Sequence, residues 1–158
     1  MTKSAAAPMS TPYDVFLSHA YEDAETIAGV KAMIEQEGLA VYVDWIEDPQ
    51  ADRSRVTPRT ADMLRQRMSH CQFLLFATSN ASPDSKWMPW ELGYFDGMRQ
   101  DHVGILPIVE SAGRGFSGQE YIGLYPQFEL IDFNIGRHLG RLTGANVGET
   151  LKQAALRV

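Results

Sequence analysis

Cys71–Gln72–Phe73–Leu74–Leu75–Phe76–Ala77 is a nearly unbroken apolar run. Its length reads as a strand. Continuous rather than alternating apolarity reads as a strand covered on both faces, as in a parallel sheet between helical layers. Working outward, Tyr13–Asp14–Val15–Phe16–Leu17–Ser18 is a second short apolar run. Between the two, Glu22 to Glu37 places Ile27, Val30 and Ile34 at helical spacing and stops at Gly38. Leu39 to Val43 then reads as a strand ending at Asp44, and residues 45 to 56 as a polar loop containing Pro49. Thr57–Pro58 is a helix start, a capping hydroxyl followed by proline at the first helical position. Ala61, Leu64 and Met68 form the apolar stripe of that helix.

Beyond the opening run, Ser79 to Ser85 reads as a loop, Trp87 to Arg99 as a helix and Val103 to Val109 as a fourth strand. Residues 110 to 126 hold glycines and a proline and predict a long loop. Phe128 to Ile131 is a short fifth strand, and Leu151, Ala154, Ala155 and Val158 belong to a closing amphipathic helix. Strand alternating with helix predicts an α/β fold: a flavodoxin-like, doubly wound, five-stranded parallel sheet in the order 2-1-3-4-5, with helices on both faces. The length suits one domain over residues 13–158, after a tail over residues 1–12 that is expected to be disordered.

A net charge of -6 excludes partners that want a basic face, so no nucleic acid and no anionic membrane surface are expected. Cys71 is the single cysteine, so there is no disulfide framework, and it reads as a core residue. Met1 to Pro12 carries no apolar region of the signal-peptide kind, and no run of about 18 apolar residues occurs. A reducing, cytoplasmic setting is therefore expected. In that setting the sequon Asn80–Ala81–Ser82 is not read as a glycosylation site.

In open α/β sheets, ligands bind beyond the carboxyl ends of the strands, at the point where the strand order reverses. For the order 2-1-3-4-5 this lies between the first and third strands. The first strand ends at Ser18–His19–Ala20, the second delivers Asp44 and Trp45, and the third ends near Ser79 and leads to Trp87 and Glu91. Ser18, His19, Ala20, Asp44, Trp45, Ser79 and Trp87 are thus candidate substrate-binding residues, with Glu91 the candidate catalytic group. Trp87 and Glu91 are four apart, so on a continuous helix they share a face. If Pro89 is the first helical residue, Trp87 lies in the loop and that argument weakens. Burial beside an indole raises a carboxylate pKa, whereas a helix N-terminus lowers it, and the sequence leaves both directions open. Gly113 to Gly118 fits G-x-G-x-x-G with Asp132 downstream, but the segment after it is too short for a crossover helix and reads as a loop. The four histidines have no metal-ligand spacing, and no G-x-S-x-G elbow is present. Asp48, Asp52, Arg53 and Arg55 read as a solvated loop.

These residues resemble the TIR domain family, in particular its bacterial, NAD-cleaving branch, over roughly residues 13 to 135. Asp14–Val15–Phe16–Leu17–Ser18 is similar to the family's first box. Asp44 and the segment after it are similar to the end of the second strand and the BB loop. Ser85–Lys86–Trp87–Met88–Pro89–Trp90–Glu91–Leu92 resembles the motif of the NAD-cleaving members, with Trp87 and Glu91 at its W-x-x-x-E spacing. The chain departs from the pattern at His19–Ala20, at Pro49 and Asp52–Arg53 in the BB loop, and in a third box reduced to Phe133. The departures weigh against receptor-style adaptor signalling more than against catalysis.

The resemblance implies NAD⁺ glycohydrolase or ADP-ribosyl cyclase activity, with Glu91 catalytic. NAD⁺ is then the substrate, and no cofactor or metal is expected. It further implies self-association of TIR domains for activity. It also implies a role in anti-phage defence, as in Thoeris systems, where a separate effector protein responds to a cyclic ADP-ribose signal. Two alternatives stand beside it. One is a non-catalytic module that self-assembles through residues 45 to 57. The other is a flavodoxin-like nucleoside transferase using a crevice carboxylate.

Overall fold

The computed structural model describes residues 6–79, 82–108, 120–133, 136–144 and 147–156. Four strands, β1 (Tyr13–Ser18), β2 (Val41–Tyr42), β3 (Cys71–Thr78) and β4 (Val103–Pro107), form one sheet in the order β2-β1-β3-β4. All three pairings are parallel, with Val15 opposite Val41 and Phe73, and Leu74 opposite Val103. The sequence order of strands and the switch between β1 and β3 are those expected.

Why the central strands are apolar throughout is visible in their packing. Successive side chains of a strand point to opposite faces. Phe16, Leu74 and Phe76 enter one core, with Leu64 and Met68 of α3 (Pro58–Ser69) and Leu92 and Phe95 of α4 (Met88–Met98). Val15, Leu17, Phe73, Leu75 and Ala77 enter the other, with Ile27 and Ile34 of α1 (Ala24–Gln36) and Leu151, Ala154 and Ala155 of α5 (Leu151–Ala155). Helices thus cover both faces, and from Phe73 to Ala77 neither face of β3 can be polar without burying an unsatisfied group.

The helix boundaries follow local chemistry. Gly38, at φ +86°, ends the α1 segment in the left-handed region that glycine tolerates. The Thr57 hydroxyl accepts from the Thr60 N–H at 3.2 Å, and Pro58 occupies the first turn of α3. Thr150 and Gln153 form a reciprocal capping box at α5. The second strand is shorter than expected. The chain turns into a single helical turn, α2 (Asp44–Glu47), directly after Val43.

The expected fifth parallel strand is corrected. Gln127 bridges Ile105 in parallel, and the Phe128 N–H donates to the Ile105 carbonyl at 2.7 Å, so the chain does reach the edge of β4. It then leaves. β5 (Glu129–Phe133), β6 (Gly136–Gly144) and β7 (Val147–Thr150) form a separate antiparallel sheet in that order. Antiparallel strands close in sequence pair locally, which competes well with a single remote edge. Phe128 is held at the β4 edge by close packing: a Cβ on Gly104 would lie 2.4 Å from its ring. The glycine motif at 113–118, Val109 at the end of the expected fourth strand, and Val158 lie outside the described residues.

Candidate active site

β1 and β3 diverge in connection, not in position: Ser18 pairs with Phe76, and β3 runs two residues further, to Thr78. The crevice opens at these carboxyl ends. Beneath it lies Glu91, on the first turn of α4 and fully buried. Trp87 is the residue before α4 and is itself in the αR region, and the Glu91 N–H donates to the Trp87 carbonyl at 2.8 Å. Pro89 therefore sits within the first turn, where its missing N–H is not needed, and Trp87 and Glu91 are stacked one turn apart.

Both reach the same residue. Arg53, in the loop between α2 and α3, donates from Nη2 to Glu91 Oε1 at 2.9 Å, and the Trp87 indole N–H donates to the Arg53 carbonyl at 3.0 Å. Arg53 Nη1 also pairs with Asp44 Oδ2 at 2.5 Å. One cation thus sits between two acids. Burial raises the Glu91 pKa, Arg53 lowers it and Asp44 raises it again, leaving it pushed up to about 7. Burial is the largest influence and outweighs the opposing pull of Arg53. Ser18 interacts with the Glu91 carboxylate, yet neither Ser18 Oγ nor Glu91 Oε2 completes a hydrogen bond. Thr78 Oγ1 and Arg53 Nε are likewise buried without a partner among the described residues. Unsatisfied polar atoms gathered at one end of a sheet are costly to folding and mark a place where a ligand would complete them.

His19 is fixed by its neighbours. Its Nδ1 donates to the Leu17 carbonyl at 3.0 Å, and its Nε2 accepts from the Trp45 indole at 3.1 Å. Both partners demand the neutral Nδ1–H tautomer. Burial also lowers its pKa. The 3.8 Å approach of Nε2 to Asp44 is therefore not an ion pair.

A cavity of 530 Å³ opens beside this cluster. His19, Asp44, Trp45 and Trp87 line it, as do Tyr21, Arg53 and Lys86. Ser18, Ala20 and Glu91 are buried behind its wall, and Ser79 is tied to Asp23 of the α1 approach through its hydroxyl. The eight candidates thus divide into four on the cavity and four behind it. Arg53 is the residue between the groups. Its side chain is 18% exposed on the cavity side while its guanidinium touches Glu91.

The solvated-loop reading holds for the exposed Asp52 and Arg55 and is corrected for Asp48 and Arg53. Asp48 is 1% exposed. It accepts from Arg67 Nε and Nη2 at 2.8 and 2.7 Å and from the Tyr42 hydroxyl at 2.6 Å. Arg67 also donates to the carbonyls of Ala7 and Pro8, so residues before β1 lie against α3. Sequence reasoning missed Arg53 because charge in the loop was taken as a sign of solvation, and it assigned Arg67 no role. For Arg53, its place in the loop that follows Asp44 was the signal available. Among the described residues no group of His, Cys, Asp and Glu is arranged to hold a metal ion.

A four-stranded parallel core in the order 2-1-3-4, with a carboxylate and an indole at its switch point, defines a flavodoxin-like α/β domain with a crevice at the carboxyl ends of its strands. Residues 15–139 match the family described as TIR domain, so the chain belongs to the TIR domain family. It is 56% identical over 115 residues to the probable 3′ cyclic ADP-D-ribose synthase ThsB′ of Bacillus cereus (strain MSX-D12), a match covering 72% of this chain and 59% of that protein. The chain therefore matches little more than half the length of that relative. Its fold is similar to the TIR domain of the Toll-related receptor TRR-2 from Hydra magnipapillata, with a TM-score of 0.52 and 20% identity, covering 73% of this chain and 83% of that one. No helix among the described residues is long and apolar enough to cross a membrane.

Proposed function

We propose that this chain splits the nicotinamide N-glycosidic bond of NAD⁺ and forms ADP-ribose or a cyclic isomer of it, as a signal in anti-phage defence. The observation that carries the reading is Glu91, a fully buried carboxylate at the switch point with Oε2 unsatisfied. The name of the Bacillus cereus relative supports it, and the W-x-x-x-E spacing supports it independently.

The chemistry suits one carboxylate. A sugar alkoxide must be protonated to leave, so most glycosidases use two carboxyl groups. Nicotinamide in NAD⁺ is already cationic. When its bond to C1′ breaks, the electron pair passes to the ring nitrogen and nicotinamide leaves neutral. Positive charge grows on the ribose, and an anionic Glu91 stabilises it. Attack by water on C1′ then gives linear ADP-ribose and releases a proton. Attack by a nucleophile of the same nucleotide gives a cyclic product. With a pKa pushed up to about 7, Glu91 is suited to take the attacking group's proton. Trp87 would line the nicotinamide side, Asp44 and Trp45 would border the ligand, and Ser18, His19, Ala20 and Ser79 would approach the ribose or phosphates. No cofactor is used. The protein would act in the cytoplasm, in self-associated form, with a separate effector reading the product. Ile46 and Val56, both exposed apolar side chains flanking the loop of Arg53, suit such self-association.

Product analysis tests the reading. Concentrated protein is incubated with NAD⁺ and the products are separated by chromatography. Linear ADP-ribose or a cyclic isomer, with one nicotinamide released for each, supports it. Unchanged NAD⁺ from well-assembled protein favours the non-catalytic module, and cleavage of nucleosides but not NAD⁺ favours the transferase.

A further inference from the structure

Glu91 does not reach the cavity that a substrate would fill, because Arg53 stands in the way. Its Oε1 is occupied by Arg53 Nη2 at 2.9 Å, and Arg53, not Glu91, forms the cavity wall. We propose that Arg53 is an exchangeable counter-ion: it covers Glu91 in the free protein and transfers to the diphosphate of the substrate on binding, uncovering the carboxylate. This rests on the NAD⁺ reading above and adds the residue that selects for the diphosphate.

Four observations support the exchange. The cavity wall is acidic, with Glu22, Asp44, Asp52 and Asp84, so a diphosphate is repelled unless it meets one of the cations, Arg53 or Lys86. Lys86 is a point charge, whereas the guanidinium fork matches paired phosphate oxygens. Arg53 also holds a donor in reserve, since its Nε is buried with no partner. Lastly, the Arg53 backbone is pinned by the Trp87 indole at 3.0 Å, so the transfer is a rotation of one side chain about a fixed point and needs no loop rearrangement.

Energetics permit the move. In the resting state one guanidinium serves two carboxylates, Asp44 and Glu91. After transfer it still serves two anions, Asp44 and a phosphate, while Glu91 exchanges the guanidinium for the nicotinamide end of NAD⁺, which is cationic before the bond breaks and passes its charge to the ribose as it does. Each buried carboxylate therefore keeps a cation opposite it through the exchange.

The test measures binding and turnover together. Calorimetry compares ADP-ribose, which has the diphosphate, with adenosine, which lacks it, on the wild type and on Arg53→Gln. Nicotinamide release is followed from NAD⁺ and from nicotinamide riboside. The account expects Arg53→Gln to weaken ADP-ribose at least tenfold with adenosine changed less than twofold. It expects kcat/KM for NAD⁺ to fall at least tenfold relative to that for nicotinamide riboside. Arg53→Lys, which keeps the charge between Asp44 and Glu91, should fall between the two, and it carries the test if the glutamine variant does not fold. Equal losses for ligands with and without phosphate would make Arg53 a structural residue and overturn the proposal. If the wild type binds ADP-ribose through Arg53 but releases no nicotinamide, the NAD⁺ reading fails while the diphosphate contact stands.

Discussion

Replacing Glu91 by glutamine should change the pH dependence of stability in a calculable way. The carboxyl is fully buried, and its pKa is raised from 4.5 to about 7, chiefly by burial and despite Arg53. Between those two values the folded protein keeps the proton and the unfolded chain loses it. Stability therefore falls as pH rises through this window, and the whole contribution is lost above the folded pKa. At about 1.4 kcal/mol per pH unit, the gap corresponds to ~3 kcal/mol. Glutamine has nearly the same shape and does not titrate. Its fixed effects, such as weaker pairing with Arg53, cancel when one pH is compared with another. Asp44, Arg53 and neutral His19 are present in both proteins. Urea denaturation followed by circular dichroism at pH 4.5 and pH 8 gives the numbers. The difference in unfolding free energy, variant minus wild type, should grow by ~3 kcal/mol in favour of glutamine on going to pH 8. Parallel curves for the two proteins across this range would refute the reasoning, because Glu91 would then not be a carboxylate whose charge is suppressed by burial.

Arg67→Met should destabilise the fold by ~3–5 kcal/mol in chemical denaturation, since it leaves Asp48 buried without its cation and removes the donors to Ala7 and Pro8. Gly104→Ala should cost ~1–3 kcal/mol by the same measurement, because its Cβ would meet the Phe128 ring at 2.4 Å. Trp87→Phe removes the indole bond to the Arg53 carbonyl. It should lower stability by about 1 kcal/mol and raise KM for NAD⁺ more than it lowers kcat, read from steady-state nicotinamide release.

The parallel core was legible because β3 carries apolar residues on both faces, and only a sheet buried on both sides asks for that. The helix starts were legible because Thr57–Pro58 states its own geometry. The antiparallel sheet was not. β6 and β7 contain Gly136, Gly140, Gly144 and Gly148, residues that carry almost no strand signal. The convergence of Trp87, Glu91, Asp44 and His19 on one crevice was legible from the strand order and the segments that leave the strand ends. Arg53 was not, because an arginine in a polar loop looks the same in sequence whether it points to water or into a pair of buried acids. Asp48 and Arg67 were hidden likewise. They lie 19 residues apart in the chain and meet only in the folded protein. The ambiguity at Pro89 dissolved for a simple reason: the helical bond from Glu91 to Trp87 spans the proline without using its nitrogen.

The most direct test of the central claim is nicotinamide release from NAD⁺ at high protein concentration and pH 7.5, with the wild type beside a folded Glu91→Gln. The account predicts clear release by the wild type and a rate lower by at least about a hundredfold in the variant, since one preorganised electrostatic group is worth that much. Release at the wild-type rate by Glu91→Gln, or none by the self-associated wild type, would contradict it.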